Sequence, residues 1–101
     1  YLHVKGDETK IPTWLQPHMS SIGFSIQELL DHDMIPKMES WNRRLDLSFK
    51  KINNLSGLHT IPNIQNTAII WLNNNQIASL ALYAFAGLEN LLTLDLGYNY
   101  I

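Results

Sequence analysis

The chain has 101 residues, of which 46% are hydrophobic and 16% charged, and this composition predicts one globular domain rather than a disordered segment. Its formal net charge of −2 provides no basic surface, so we expect no nucleic acid partner. The apolar runs are too short to cross a bilayer, and we expect no membrane insertion.

The sequence contains no cysteine. This excludes disulfide bonds, thiolate nucleophiles and cysteine-bound zinc. It favours a cytoplasmic protein in a reducing compartment, while a secreted or host-delivered bacterial protein is an open alternative.

Residues 1–40 carry no repeat and predict an N-terminal cap region with one strand and one or two helices. Leu2 and Val4 flank a histidine in the alternation of an edge strand. Capping boxes that begin at Thr13 and Ser25 predict helix starts, and the helix after Ser25 is expected to continue towards Pro36. The region also resembles the opening of Skp- or BTB-type ubiquitin-ligase adaptor domains, so a remnant of such a module is the alternative to a cap.

Residues 41–101 form a second predicted region, which repeats itself. Similar segments occupy residues 45–52, 70–77 and 94–101, so the copies start 25 and 24 residues apart. In each copy apolar residues alternate before a turn, which predicts short strands that pair in parallel from copy to copy.

The repeated segment resembles the unit of leucine-rich-repeat proteins, which opens L-x-x-L-x-L-x-x-N-x-L. The third copy matches this pattern in full, with Leu91, Leu94, Leu96, Asn99 and Ile101. The second copy has Thr67 in the opening position, and the first has Asn42 there and Lys50 in place of asparagine. The resemblance covers residues 42–101. It implies an α/β solenoid, a right-handed coil with short parallel strands on its concave face and a helical N-terminal cap.

The same resemblance implies a structural role for Asn75 and Asn99, whose amides are expected to point inward and bond to neighbouring turns. Further repeats of the chain are expected after Ile101, because the last copy lacks a connecting arm. The exposed end formed by Leu94, Leu96 and Ile101 is then expected to leave the isolated chain marginally stable or prone to associate.

The connecting arms of the first two copies differ in sequence. Around Phe85, helix-forming residues and apolar positions three to five residues apart predict a helix that ends at Gly87. In the preceding arm, Gly57 and Pro62 interrupt an apolar residue at every third position, which predicts short 3₁₀ turns or irregular structure.

The sequence shows no pattern of catalytic residues. Its four histidines do not pair at metal-binding spacing, and the cluster around His32 is interpreted as a solvated helix end. A nucleophile elbow and a glycine-rich phosphate loop are both absent from the sequence. We therefore expect no enzyme activity, no cofactor and no metal.

The solvent-facing strand positions predict a binding surface. Adjacent strands lie about 4.8 Å apart, so Trp71 is expected between Asp46 and Asp95. Tryptophan is frequent among the residues that dominate binding energy, although coverage of Trp71 by a neighbouring segment is the alternative. The predicted partner-binding residues are Arg44, Asp46, Phe49, Ile69, Trp71, Asn73, Asp95 and Tyr98, of which Phe49 and Tyr98 occupy a position that can also turn into the core.

The resemblance implies a scaffold for protein–protein interaction that binds a protein or peptide on the concave face. A basic group of the partner is expected against Trp71 and its flanking carboxylates. Two alternatives are open. One is a structural spacer of a larger repeat protein, and the other is the substrate-recognition part of a multidomain effector or ubiquitin-ligase-type adaptor.

Overall fold

A computed structural model of the chain describes residues 3–5, 23–80 and 82–101. These residues contain six short strands in two parallel sheets. The larger sheet has the order β1-β6-β5-β3, and the smaller sheet pairs β2 with β4. The strands are β1 (His3–Lys5), β2 (Phe24–Ser25), β3 (Arg44–Asp46), β4 (Ile52–Asn54), β5 (Ile69–Trp71) and β6 (Thr93–Asp95).

In the larger sheet, β3, β5 and β6 each have a buried apolar residue between two more exposed residues, and the apolar residue packs into the core. The middle residues of β3, β5 and β6 are Leu45, Ile70 and Leu94, which are aligned in register and are each 0% exposed. Their neighbours within each strand face the opposite side, because successive side chains of a strand alternate between faces. One face of β3, β5 and β6 therefore packs on the core, and the residues of the opposite face are exposed or half-buried.

The helix predicted after Ser25 is present as α1 (Ile26–Asp31). The Ser25 hydroxyl accepts a bond from the Glu28 amide, and the Glu28 carboxylate accepts one from the Ser25 amide, which confirms the capping box. The helix ends earlier than expected because Asp33 adopts a left-handed backbone (φ 58°) and the Met34 amide bonds back to the Leu29 carbonyl. The capping box predicted at Thr13 lies outside the described residues.

The connections between strands contain 3₁₀ turns, at Leu58–Thr60, Ile64–Asn66 and Leu82–Phe85. This confirms the short turns predicted for the first arm. The prediction of an α-helix around Phe85 is wrong, since the structure has a 3₁₀ turn there. The apolar residues Phe85, Leu88 and Leu91 recur at every third residue. Their spacing fits three residues per turn, and the amides of Leu88 and Leu91 each bond to the carbonyl three residues earlier.

The predicted fold class, an α/β leucine-rich-repeat solenoid with a helical N-terminal cap, is wrong. The protein is a small compact globule with two short parallel sheets, and its Cα radius of gyration is 13.1 Å. A compact chain of this length is expected near about 13 Å. The described residues contain one α-helix of six residues, and β1 pairs with β6, far away in the chain. Units of a solenoid contact only their chain neighbours, so this pairing of the first and last strands does not fit a coil.

The pairing of β1 with β6 also corrects the expectation of an exposed end. Leu94 is 0% exposed and Leu96 is 6% exposed, whereas Ile101 is 42% exposed. Because β1 covers the edge of β6, the last apolar strand positions belong to the core. No helix within residues 3–5, 23–80 and 82–101 is long and apolar enough to span a membrane.

Thr67 places an unpaired hydroxyl in the core. Its side chain is 0% exposed, and its Oγ1 has no hydrogen-bond partner in the described part of the chain. Leaving a buried polar group unpaired costs about 1–3 kcal/mol. We expect Thr67→Val, which keeps the branched shape, to raise the free energy of unfolding by about 1–2 kcal/mol, measured by urea denaturation.

Thr60→Val is the matched control for Thr67→Val. The Thr60 hydroxyl is exposed and donates to the Gly57 carbonyl at 2.7 Å, so its removal is expected to be neutral or slightly destabilising. Equal effects of the two substitutions would contradict the penalty assigned to the Thr67 hydroxyl.

Candidate functional site

Two buried asparagines hold the turns that follow the strands. Asn75 is 3% exposed, and its Oδ1 accepts bonds from the amides of Lys50 and Ile52, both at 3.0 Å. Its Nδ2 donates to the carbonyls of Leu47 and Leu72, both at 2.9 Å. One side chain therefore joins the turn after β3 to the turn after β5.

Asn99 makes the corresponding contacts after β6. It is 1% exposed, its Oδ1 accepts from the Ile77 amide at 3.0 Å, and its Nδ2 donates to the carbonyls of Leu72 and Leu96. The Leu72 carbonyl thus accepts from both asparagines. These bonds fix the turns at the ends of β3, β5 and β6 relative to one another, and so fix the side chains that the turns present.

The register of the larger sheet aligns Asp46, Trp71 and Asp95 across three neighbouring strands, with Lys5 of β1 as the next residue in the row. This is the alignment that the 25- and 24-residue spacings predict. We call the solvent-facing residues of β3, β5 and β6 the sheet face, namely Arg44, Asp46, Ile69, Trp71, Thr93 and Asp95. Their role in binding stays a prediction.

The side chains of the sheet face differ in exposure. Trp71 and Ile69 are half-buried, whereas Arg44 and Asp46 are exposed and Asp95 is half-buried. The Trp71 side chain is therefore partly covered and partly open to solvent. Aromatic rings held in this way lose little conformational freedom when a partner binds.

Both carboxylates of the sheet face are held by the turns that follow them. Oδ1 of Asp46 accepts from the Ser48 amide at 3.0 Å and from the Ser48 hydroxyl, and Oδ1 of Asp95 accepts from the Gly97 amide at 3.0 Å. The bonds from Ser48, together with the nearby charge of Lys50, lower the pKa of Asp46 from its ordinary value of 3.8. Asp46 is therefore ionised at neutral pH.

A second row of side chains lies at the turns beyond the sheet face. We call Phe49, Asn74 and Tyr98 the rim. The Phe49 amide bonds to the Asn73 carbonyl and the Asn74 amide to the Gly97 carbonyl, so the three turns are stacked in the order of the strands. Phe49 is 73% exposed and Tyr98 is 51% exposed, so the alternative in which these rings turn into the core is wrong.

The predicted site omitted three residues that shape it. Ser48 and Gly97 bind the carboxylates, and Asn74 lies between the rim aromatics with its Oδ1 accepting from Asn73 Nδ2 at 2.9 Å. An aspartate followed two residues later by serine or glycine is a turn pattern visible in the sequence, and it was the available signal for the first two.

The sheet face and the rim lie outside a cavity at the connecting arms. A cavity of about 500 Å³ is lined by residues 53–60, Ser79, Tyr83 and Ala84, none of which belongs to the sheet face or the rim. Among the described residues, no group of histidine, aspartate or glutamate side chains is arranged to hold a metal ion.

Neither a protein-family model, a curated protein nor a solved structure matches the chain. The geometry of the site is therefore the basis for inferring its function.

Proposed function

We propose that the chain is a protein-interaction module whose sheet face binds a basic segment of a protein or peptide partner. The observation that carries this proposal is the half-buried Trp71 between the carboxylates of Asp46 and Asp95. A guanidinium or ammonium group over an indole ring is attracted by the ring face, and flanking carboxylates add charge and hydrogen-bond acceptors.

The hydrogen bonds of the two carboxylates support this role. They use Oδ1 of Asp46 and of Asp95, and no bond within the described residues uses Oδ2 of either side chain. The turns therefore orient each carboxylate through Oδ1, and in this proposal the partner donates to Oδ2. No ion pair engages Asp46 or Asp95 among the side chains that the structure describes.

The exposure of Asp46 and Phe49 supports a macromolecular partner over a small molecule. Small-molecule sites are concave and enclose most of the ligand, whereas these two side chains are accessible to solvent.

The test is a selection of random displayed peptides on the whole chain, followed by affinity measurements on the enriched sequences. We expect enrichment of arginine and lysine. Trp71→Ala is expected to lower the affinity for the selected peptides by about tenfold or more, as truncation of a binding hot spot does. The double variant Asp46→Asn with Asp95→Asn keeps the Oδ1 acceptors and removes both charges, so it is expected to reduce affinity and its dependence on salt.

Trp41→Ala is the matched control, since Trp41 is 75% exposed and lies outside the sheet face. It is expected to leave affinity within twofold. Selected peptides that bind Trp71→Ala as tightly as the natural sequence would contradict the proposal. Failure to enrich any peptide would also contradict it and would favour the structural spacer.

A further inference from the structure

The rim holds two aromatic side chains in a backbone conformation that does not favour them. Phe49 and Tyr98 both have φ 56°, and Asn74 between them has φ 58°. This left-handed region is uncommon for bulky residues, whereas asparagine tolerates it. Only the middle position of the rim therefore carries a residue type that suits the turn, and the outer two carry exposed rings. Such strain at an exposed position suggests a function for the side chain.

The spacing of the rim residues matches a repeating ligand. Phe49 and Tyr98 follow strands separated by one intervening strand, so their backbones lie two strand spacings apart, about 9.6 Å. A polyproline II helix advances about 9.3 Å in its three-residue turn. Side chains three residues apart in such a helix would therefore meet the two rings in succession.

Asn74 provides a hydrogen-bond donor between the rings. Its Oδ1 is engaged by Asn73, which orients the amide, and its Nδ2 makes no bond within the described residues. A polyproline II helix has no internal hydrogen bonds, so its carbonyl groups are free to accept such a donor. Surfaces lined with aromatic side chains are a recurring means by which proteins recognise proline-rich segments.

We propose that the rim binds an extended proline-rich segment whose prolines lie three residues apart, and that a basic residue of the same segment reaches Trp71 on the sheet face. The match in spacing supports the contact between the prolines and the rim. Charge complementarity with Asp46 and Asp95 supports the contact between the basic residue and Trp71. This inference rests on the proposed function, because it names the chemistry of the partner for that same surface.

The test uses three synthetic peptides and isothermal titration calorimetry on the whole chain. The first peptide has two prolines three residues apart followed by an arginine, the second has alanine in place of both prolines, and the third has glutamine in place of the arginine. We expect the first to bind about tenfold more tightly than either of the others. Phe49→Asn and Tyr98→Asn are each expected to remove the advantage of proline over alanine, and to keep or raise the melting temperature.

Tyr83→Ala is the control variant, because Tyr83 is 81% exposed but lies outside the rim. It should change no affinity by more than twofold. Equal binding of the proline and alanine peptides, with both dependent on Trp71, would overturn the proline assignment and leave the proposed function intact. Binding that depends on the rim but not on Trp71 would support the proline-rich ligand and contradict the basic contact. No binding of any of the three peptides would overturn the proline assignment, while the peptide selection would decide the proposed function separately.

Discussion

Asn75→Ala is expected to remove a large part of the stability of the fold. The substitution takes away the acceptor for the amides of Lys50 and Ile52 and the donor to the Leu47 carbonyl, and it leaves a cavity at a side chain that is 3% exposed. Each unpaired buried group costs about 1–3 kcal/mol, so we expect a loss of about 4 kcal/mol or more. Domains of this size are stable by about 5–15 kcal/mol in total. Urea denaturation followed by circular dichroism measures the loss.

A series of three asparagines separates hydrogen bonding from the general effect of truncation. Asn99 supplies the acceptor for one amide, that of Ile77, rather than two. Asn90 is exposed and donates a single bond to the Gln65 carbonyl. The expected order of destabilisation is therefore Asn75→Ala, then Asn99→Ala, then Asn90→Ala, with the last below about 1 kcal/mol. If Asn90→Ala cost as much as Asn75→Ala, the two buried amides would not be the source of the penalty.

Local sequence patterns correctly predicted β3, β5, β6 and the start of α1. The period of two around Leu45, Ile70 and Leu94 located β3, β5 and β6, and the spacings of 25 and 24 residues between the copies gave their register. The capping box at Ser25 located the start of α1. In each case the residues that determine the structure lie within a few positions of one another or recur at a fixed interval.

The pairing of β1 with β6 had no such signal. His3 and Thr93 pair across nearly the whole chain, and nothing in either segment indicates the other. A repeat pattern alone predicts that copies stack in order, so it leads to a solenoid. The compact globule depends on this non-local pairing instead.

The composition of the site was predictable, but its geometry was only partly so. The row of Asp46, Trp71 and Asp95 followed from strand spacing. Phe49 and Tyr98 are exposed on turns where both residues have a left-handed backbone (φ 56°), and aromatic residues do not signal that conformation.

The second large effect is expected at Gly57, where the backbone approaches α1. Gly57 has φ 96°, and a Cβ there would lie 2.8 Å from the Gln27 amide nitrogen and 2.9 Å from its Cα. The Gln27 segment cannot move away easily, because its amide bonds to the Ser56 carbonyl at 2.7 Å and the capping box fixes the start of the helix. Gly57→Ala therefore adds an overpacking cost to the cost of a left-handed alanine, and we expect a loss of about 2–4 kcal/mol in the free energy of unfolding.

A substitution at Gly87 measures the cost of a left-handed alanine without the overpacking cost. Gly87 also has a positive φ, 81°, but a Cβ at that position would meet nothing within 4 Å. Gly87→Ala is expected to cost only about 1 kcal/mol, the penalty of the backbone conformation. The difference between the two variants in urea denaturation then measures the close contact between the first connecting arm and α1. Equal losses of unfolding free energy would mean that Gln27 shifts without cost. They would contradict the inference, drawn from the hydrogen bond of the Gln27 amide to the Ser56 carbonyl, that α1 is held against this arm.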